Sequence, residues 1–137
     1  MLVEQLQRML QQVEGQHMAG LKELDVTTRQ VLVMQSIVDF GAHSPNQTEL
    51  IAKTGVDRST LSDLVRRLNK KGLVTRKRAK EDARAYRVTI TADGKSKLKA
   101  ARKVMEKIEA TEIPAAQMLM AAIERSLAPP AKLVAAE

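Results

Sequence analysis

Hydrophobic positions recur with a helical period over most of the chain, and the period shortens to two residues once. From Asn46 to Leu73 the sequence reads NQTELIAKTGVDRSTLSDLVRRLNKKGL. Asn46 stands three residues before Glu49, the spacing of a reciprocal helix cap. Leu50 and Ile51 give the short helix that follows an apolar side, and Gly55 suits the left-handed residue that ends it. Asp57 is placed to cap a second helix by accepting from the backbone N–H of Ser59 or Thr60. In that helix Leu61, Leu64, Val65 and Leu68 form one apolar face at i, i+3, i+4 and i+7. Gly72 stops it, and Leu73 packs back as the apolar residue after the cap. Two helices joined by a short glycine-containing turn make a helix-turn-helix.

Upstream, Leu2, Leu6, Met9, Val13, Met18, Leu21 and Leu24 keep helical spacing, with breaks expected near Gly15 and Gly20. A terminal amphipathic helix needs something to pack on, either the chain's own core or a second copy. Thr27 and Gln30 form another capping pair. The run from Thr28 to Gly41 is apolar on most sides and predicts a buried helix beneath the helix-turn-helix, with a loop from Gly41 to Pro45. Downstream, Leu73–Arg78 predicts a strand and Ala79–Arg84 a charged turn. Ala85–Ile90 then alternates, with Tyr86, Val88 and Ile90 on one side and Arg87 and Thr89 on the other. This is a hairpin with a basic tip, and its apolar side must pack on the helices to be stable. Thr91 is placed to cap a long helix with a narrow seam of Leu98, Ala101, Met105 and Ile108. Pro114 fits the first turn of a last helix carrying Ala116, Leu119, Met120, Ile123 and Leu127. Pro129-Pro130 ends it, and 129–137 reads as a tail.

The length of 137 residues fits one domain. With one Phe, one Tyr, no Trp and seven Met, the core is aliphatic and Met-rich. The lack of cysteine excludes disulfides, thiol redox sensing and cysteine zinc sites. The first residues, MLVEQLQRMLQQVEGQ, do not form a signal peptide, and no apolar run is long enough to span a bilayer. A cytoplasmic location without membrane attachment is expected. The net charge of +7 is concentrated between Arg58 and Arg87, where the only anions are Asp63, Glu81 and Asp82. Residues 1–28 and 105–137 are close to neutral. A basic block between near-neutral flanks is the footprint of a nucleic-acid face. The cations sit on a capped helix and a hairpin, not beside a broad apolar face that lipid would cover.

An exposed basic helix face is often simply solvated. The outward face of the second helix, however, mixes Ser59, Ser62 and Asp63 near its start with Arg66, Arg67 and Lys70 further along. Arginine can grip guanine O6 and N7, and aspartate can accept from cytosine N4. The positive end of the helix suits nearby phosphates. Arg58, Ser59, Thr60, Ser62, Asp63 and Arg66 are therefore the expected major-groove readers. Gln47, Thr48, Arg67, Lys70, Arg76, Arg78 and Lys80 are the expected phosphate contacts. An enzyme is not expected. Two histidines, no cysteine, no Gly-rich phosphate loop and no metal-ligand cluster leave little for catalysis, and neither cofactor nor metal is called for. Glu81-Asp82 sits beside Lys80 and Arg84 in a turn, where an orienting role outweighs an acid–base one. His17 and His43 read as ordinary surface or helix residues.

In order, these elements resemble the winged-helix regulators of the multiple-antibiotic-resistance (MarR) family. The likeness rests on TTRQ at 27–30, NQTELIAKTGVDRSTLSDLVRRLNKKGLV at 46–74 and EDARAYRVTITADG at 81–94, and covers roughly residues 25–100. It implies a mainly α fold: a winged helix-turn-helix over 27–91 with a two-stranded hairpin as wing, and dimerisation helices at 1–24 and 92–128. It implies a homodimer on double-stranded DNA, with a recognition helix from about Asp57 to Lys71 in the major groove. It also implies a wing whose Arg84 enters the minor groove while Asp82 orients it. Narrow A·T-rich minor grooves attract arginine on physical grounds as well. The expected function is a sequence-specific transcriptional regulator, repressor by default, on a palindromic operator. The alternative is an architectural protein that coats DNA without sequence preference. A winged helix that binds protein and no DNA fits the basic block less well. Many family members take a small phenolic effector; here aromatics to stack on one are scarce, and no effector is identified. The segment before TTRQ is short for the family, its peroxide-sensing cysteine is absent, and the two histidines lie far apart in sequence.

Overall fold

The computed structural model describes residues 1–81 and 85–127. The order is α1 (Leu2–Leu21), a 3-10 turn (Lys22–Leu24), α2 (Thr28–Asp39), α3 (Gln47–Thr54), α4 (Arg58–Lys70), β1 (Val74–Arg78), β2 (Tyr86–Ile90), α5 (Ala92–Glu112) and α6 (Ala116–Leu127). Side chains fix four of the helix starts. Thr27 and Gln30 exchange hydrogen bonds at the head of α2, as Asn46 and Glu49 do at α3. Asp57 accepts from the Thr60 backbone at α4, and Thr91 from that of Gly94 at α5. Each cap satisfies backbone donors that a helix leaves without an internal partner. Gly55, at φ 71°, turns the chain from α3 into α4, a conformation costly for any residue with a Cβ. At the other end of α4, Leu73 N–H donates back to the Leu68 carbonyl at 3.0 Å. That bond closes the helix and drops Leu73 into the core.

The core lies where α2, α3, α4 and the foot of the hairpin meet α5. Met34, Val33, Leu50, Leu61, Leu68 and Val74 are fully buried, with Val88, Leu98 and Ala101 packed around them. Each such aliphatic side chain contributes about 1.5–3 kcal/mol on burial. β1 and β2 pair antiparallel, from Val74 opposite Ile90 to Arg78 opposite Tyr86. The segment ahead of α3 joins the free edge of β2: Val88 N–H donates to the Pro45 carbonyl at 2.9 Å, and Asn46 pairs with Arg87. The loop expected from Gly41 to Pro45 thus ends in a single β-bridge against the wing.

Three expectations change. α1 runs unbroken through Gly15 and Gly20. Gly20 marks a helix crossing: a Cβ there would lie 2.4 Å from Ile108 Cδ1 and 2.9 Å from Val104 Cγ1 of α5. Close packing there offsets the helix propensity that glycine lacks, about 1 kcal/mol. His17 is buried, not superficial, and its Nε2 lies 3.3 Å from Glu109 Oε1. Pro114 stands ahead of α6, not in its first turn. Ala115, at φ 60°, makes the corner between α5 and α6. The predicted tail, 129–137, lies outside the described residues. No described helix is long and apolar enough to cross a membrane. The outer half of α1 exposes Leu2, Leu6 and Leu10, and α6 buries none of its residues, leaving Met118, Ile123 and Leu127 in solvent.

Candidate nucleic-acid interface

Because α4 buries Leu61, Leu64, Val65 and Leu68, its helical period turns Arg58, Ser59, Ser62, Arg66, Arg67 and Lys70 outward, and all six are exposed. Several of these side chains are already fastened. Asp63 accepts from Arg66 Nη2 at 2.5 Å and from Arg67 Nε at 2.9 Å. Arg66 first, and then the charge of Arg67, hold its carboxyl below the usual aspartate range. In the free protein Asp63 therefore braces two arginines on one face. Thr60 serves the cap: its N–H donates to Asp57 Oδ1 at 2.9 Å and its hydroxyl to Oδ2 at 2.7 Å. Those bonds in turn lower the Asp57 carboxyl.

Gln47, the first residue of α3, reaches across to α4. Its Nε2 donates to the Ser62 hydroxyl and to the Arg58 carbonyl at 3.4 Å, and Arg58 Nη1 donates back to its Oε1 at 3.4 Å. This exchange fixes the angle between the two helices of the turn. Thr48 beside it is exposed. On the wing, Arg76, Arg78 and Lys80 are exposed, and the Arg76 guanidinium lies 5.5 Å from the centre of the Tyr86 ring. Among the described residues, Lys70, Arg76, Arg78 and Lys80 make no ion pair, so their charge faces solvent. Asp82 and Arg84, the expected orienting acid and minor-groove arginine, lie outside the described residues.

Some contacts near the interface are not signalled by the sequence. Lys71 donates from Nζ to the Asp25 carbonyl at 2.5 Å, tying the exit of α4 to the elbow between α1 and α2. Arg87 donates from Nη1 to the Ser44 carbonyl at 2.8 Å. Glu49 serves twice, as the capping-box acid of α3 and as acceptor from His43 Nε2 at 2.7 Å. The Asn46 N–H bond, reinforced by His43 and Arg87, lowers its carboxyl. These partners are distant in sequence and follow no local spacing rule; Glu49 alone carries a signal, that of the capping box.

Away from this face, a cavity of about 890 Å³ opens between α1, α2, α5 and the start of α6, lined by Val13, Leu32, Met105 and Met120 among others. Thr28 also lines it, its buried Oγ1 lacking a hydrogen-bond partner, as does His17, whose Nε2 faces Glu109. Among the described residues, no group of three or more acids and histidines is gathered that could hold a metal ion.

The lobe that carries this face, residues 24–85, matches the family model described as MarR family. The MarR-type fold extends over nearly the whole chain in solved structures. Escherichia coli MarR in its apo form aligns at a TM-score of 0.74 and 22% identity, over 93% of this chain and 98% of that one. The transcriptional repressor CouR, bound to a 23-mer DNA duplex, aligns at 0.77 and 22%, over 91% and 89%. BpsR of Bordetella bronchiseptica, whose DNA binding is regulated by 6-hydroxynicotinic acid, aligns at 0.72 and 21%, over 94% and 95%. At such identities the likeness concerns the fold. No curated protein sequence matches the chain.

Proposed function

We propose that the protein is a sequence-specific transcriptional regulator that binds double-stranded DNA as a homodimer on a palindromic operator. The observation that carries this reading is the outward face of α4, where Arg58, Ser59, Ser62 and Arg66 stand exposed and braced by Gln47 and Asp63. A face that was merely solvated would not need its arginines held at set angles. Arg66 and Arg58 are the readers of base edges, with Ser59 and Ser62 beside them. Arg67, Lys70, Arg76, Arg78 and Lys80, with Thr48 at the head of α3, meet phosphates. Arg84 enters the minor groove beside the wing, and Asp82 orients it. Repression, by occluding a promoter, is the mode adopted. The DNA-bound state of the similarly folded CouR supports the reading.

The cavity between the helices supports a second element, control by a small effector. BpsR provides the parallel of a similarly folded protein whose DNA binding a small molecule regulates. The unpartnered Thr28 hydroxyl and the His17–Glu109 pair give an effector polar atoms to meet within apolar walls.

Selection of bound duplexes from a random pool tests the first element. The expected product is a two-fold-related site with half-sites about 34 Å apart, bound at least about a thousandfold tighter than random sequence. A pool that emerges unenriched, at an affinity equal for all sequences, would assign the protein to the architectural class.

A further inference from the structure

Arg87 differs from its basic neighbours. Its side chain is 30% exposed, against 65% for Arg66 and 63% for Arg67. Both arms of its guanidinium turn inward. Nη1 donates to the Ser44 carbonyl at 2.8 Å and lies 3.7 Å from Glu49 Oε1, while Nη2 donates to the carboxylate of Glu81. Glu49 is itself held by the Asn46 N–H at 3.2 Å and by His43 at 2.7 Å. One side chain thus joins the loop ahead of α3, the first turn of α3 and the far end of the hairpin. The backbone follows the same line: Val88 N–H reaches the Pro45 carbonyl, and the Ser44 and Thr89 hydroxyls meet at 3.1 Å. A two-stranded ribbon is marginal by itself, and charge-assisted forks are among the stronger polar links. From the head of α3 the connection continues through Gln47 to Ser62 and Arg58 of α4.

We propose that Arg87 is a positioning residue for DNA binding: it clamps the wing to the head of α3 and so sets the wing at a fixed offset from the reading face of α4, without touching DNA itself. The functional half of this inference rests on the DNA-binding reading above; the mechanical half does not.

The test uses the full chain carrying Arg87→Met, with Arg87→Lys beside it as the variant that keeps charge and stem. In the free protein, amide hydrogen exchange at Val88 and Ala79 should quicken by about tenfold or more in Arg87→Met, the order of one lost charged hydrogen bond. Exchange at Leu68 in the core should stay unchanged. On the duplex selected from the random pool, Arg87→Met should bind about tenfold more weakly, and Arg87→Lys should fall between it and the parent. Adding Arg84→Ala to Arg87→Met should cost little beyond the larger single loss, because both changes act through one wing. Exchange at Val88 that does not move in either variant would show the clamp to be idle. Losses that multiply in the double variant would show Arg87 gripping DNA in its own right. If no duplex is enriched, the regulator reading falls, while the exchange result still decides whether the clamp exists.

Discussion

Carboxylates at helix starts and in the wing hold much of the local order, and their chemistry makes the fold sensitive to acid. Glu49, Asp57, Asp63 and Glu81 all have folded-state values below the ordinary 4.5 for glutamate and 3.8 for aspartate. The causes are backbone N–H groups at Asn46, Thr60 and Glu81 itself, and the guanidinium of Arg66 at Asp63. A group with a depressed value gives up its proton more readily folded than unfolded. Its contribution to stability is complete above the unfolded value and disappears as pH falls through the folded one. The melting temperature, followed by circular dichroism, should therefore stay level near neutrality and decline as pH drops below about 5. Glu49→Gln should start lower at neutral pH and decline less steeply. At this scale the capping residues were legible in the sequence, because a cap needs only a side chain and a backbone N–H a few positions apart. Arg87 and Lys71 were not legible: their partners Ser44 and Asp25 lie 43 and 46 positions away. The burial of His17 was not legible for the same reason, since Glu109, which faces it, comes from another helix.

Between elements, α5 seats closely on the exit of α4. Thr91 donates to the Gly72 carbonyl at 2.7 Å and caps α5 at once. Beneath it Gly94 presses on the Leu73 carbonyl so closely that a Cβ would come within 2.0 Å of that oxygen. Alanine is the better helix former by about 1 kcal/mol, yet the obstacle is backbone and cannot swing aside. Gly94→Ala should lower stability by about 1–3 kcal/mol in urea titrations; a more stable variant would mean that α5 rides loosely on the turn. Helix and strand positions were readable here from period alone, and the hairpin's pairing followed its alternation. The spacing between helices was not, because Gly20 looks identical in sequence whether it ends a helix or admits a neighbour.

For the whole molecule, the outer part of α1 and all of α6 leave apolar side chains without cover, Leu2 at 67% exposure and Leu127 at 79%. Apolar surface of this kind suits a second copy. Leu6→Glu combined with Ile123→Glu should yield a monomer in sedimentation, with the winged-helix lobe still folded. Operator affinity should then fall by about a hundredfold or more, since the two half-sites would be bound independently. A variant that stays dimeric would move the contact elsewhere. The contact of Arg76 with the Tyr86 ring across the hairpin carries one more consequence. Tyr86 is the only tyrosine, and there is no tryptophan. Tyrosine emission from the unlabelled protein therefore originates at the outer end of the paired strands and does not report on the core, so a duplex arriving there would announce itself by quenching.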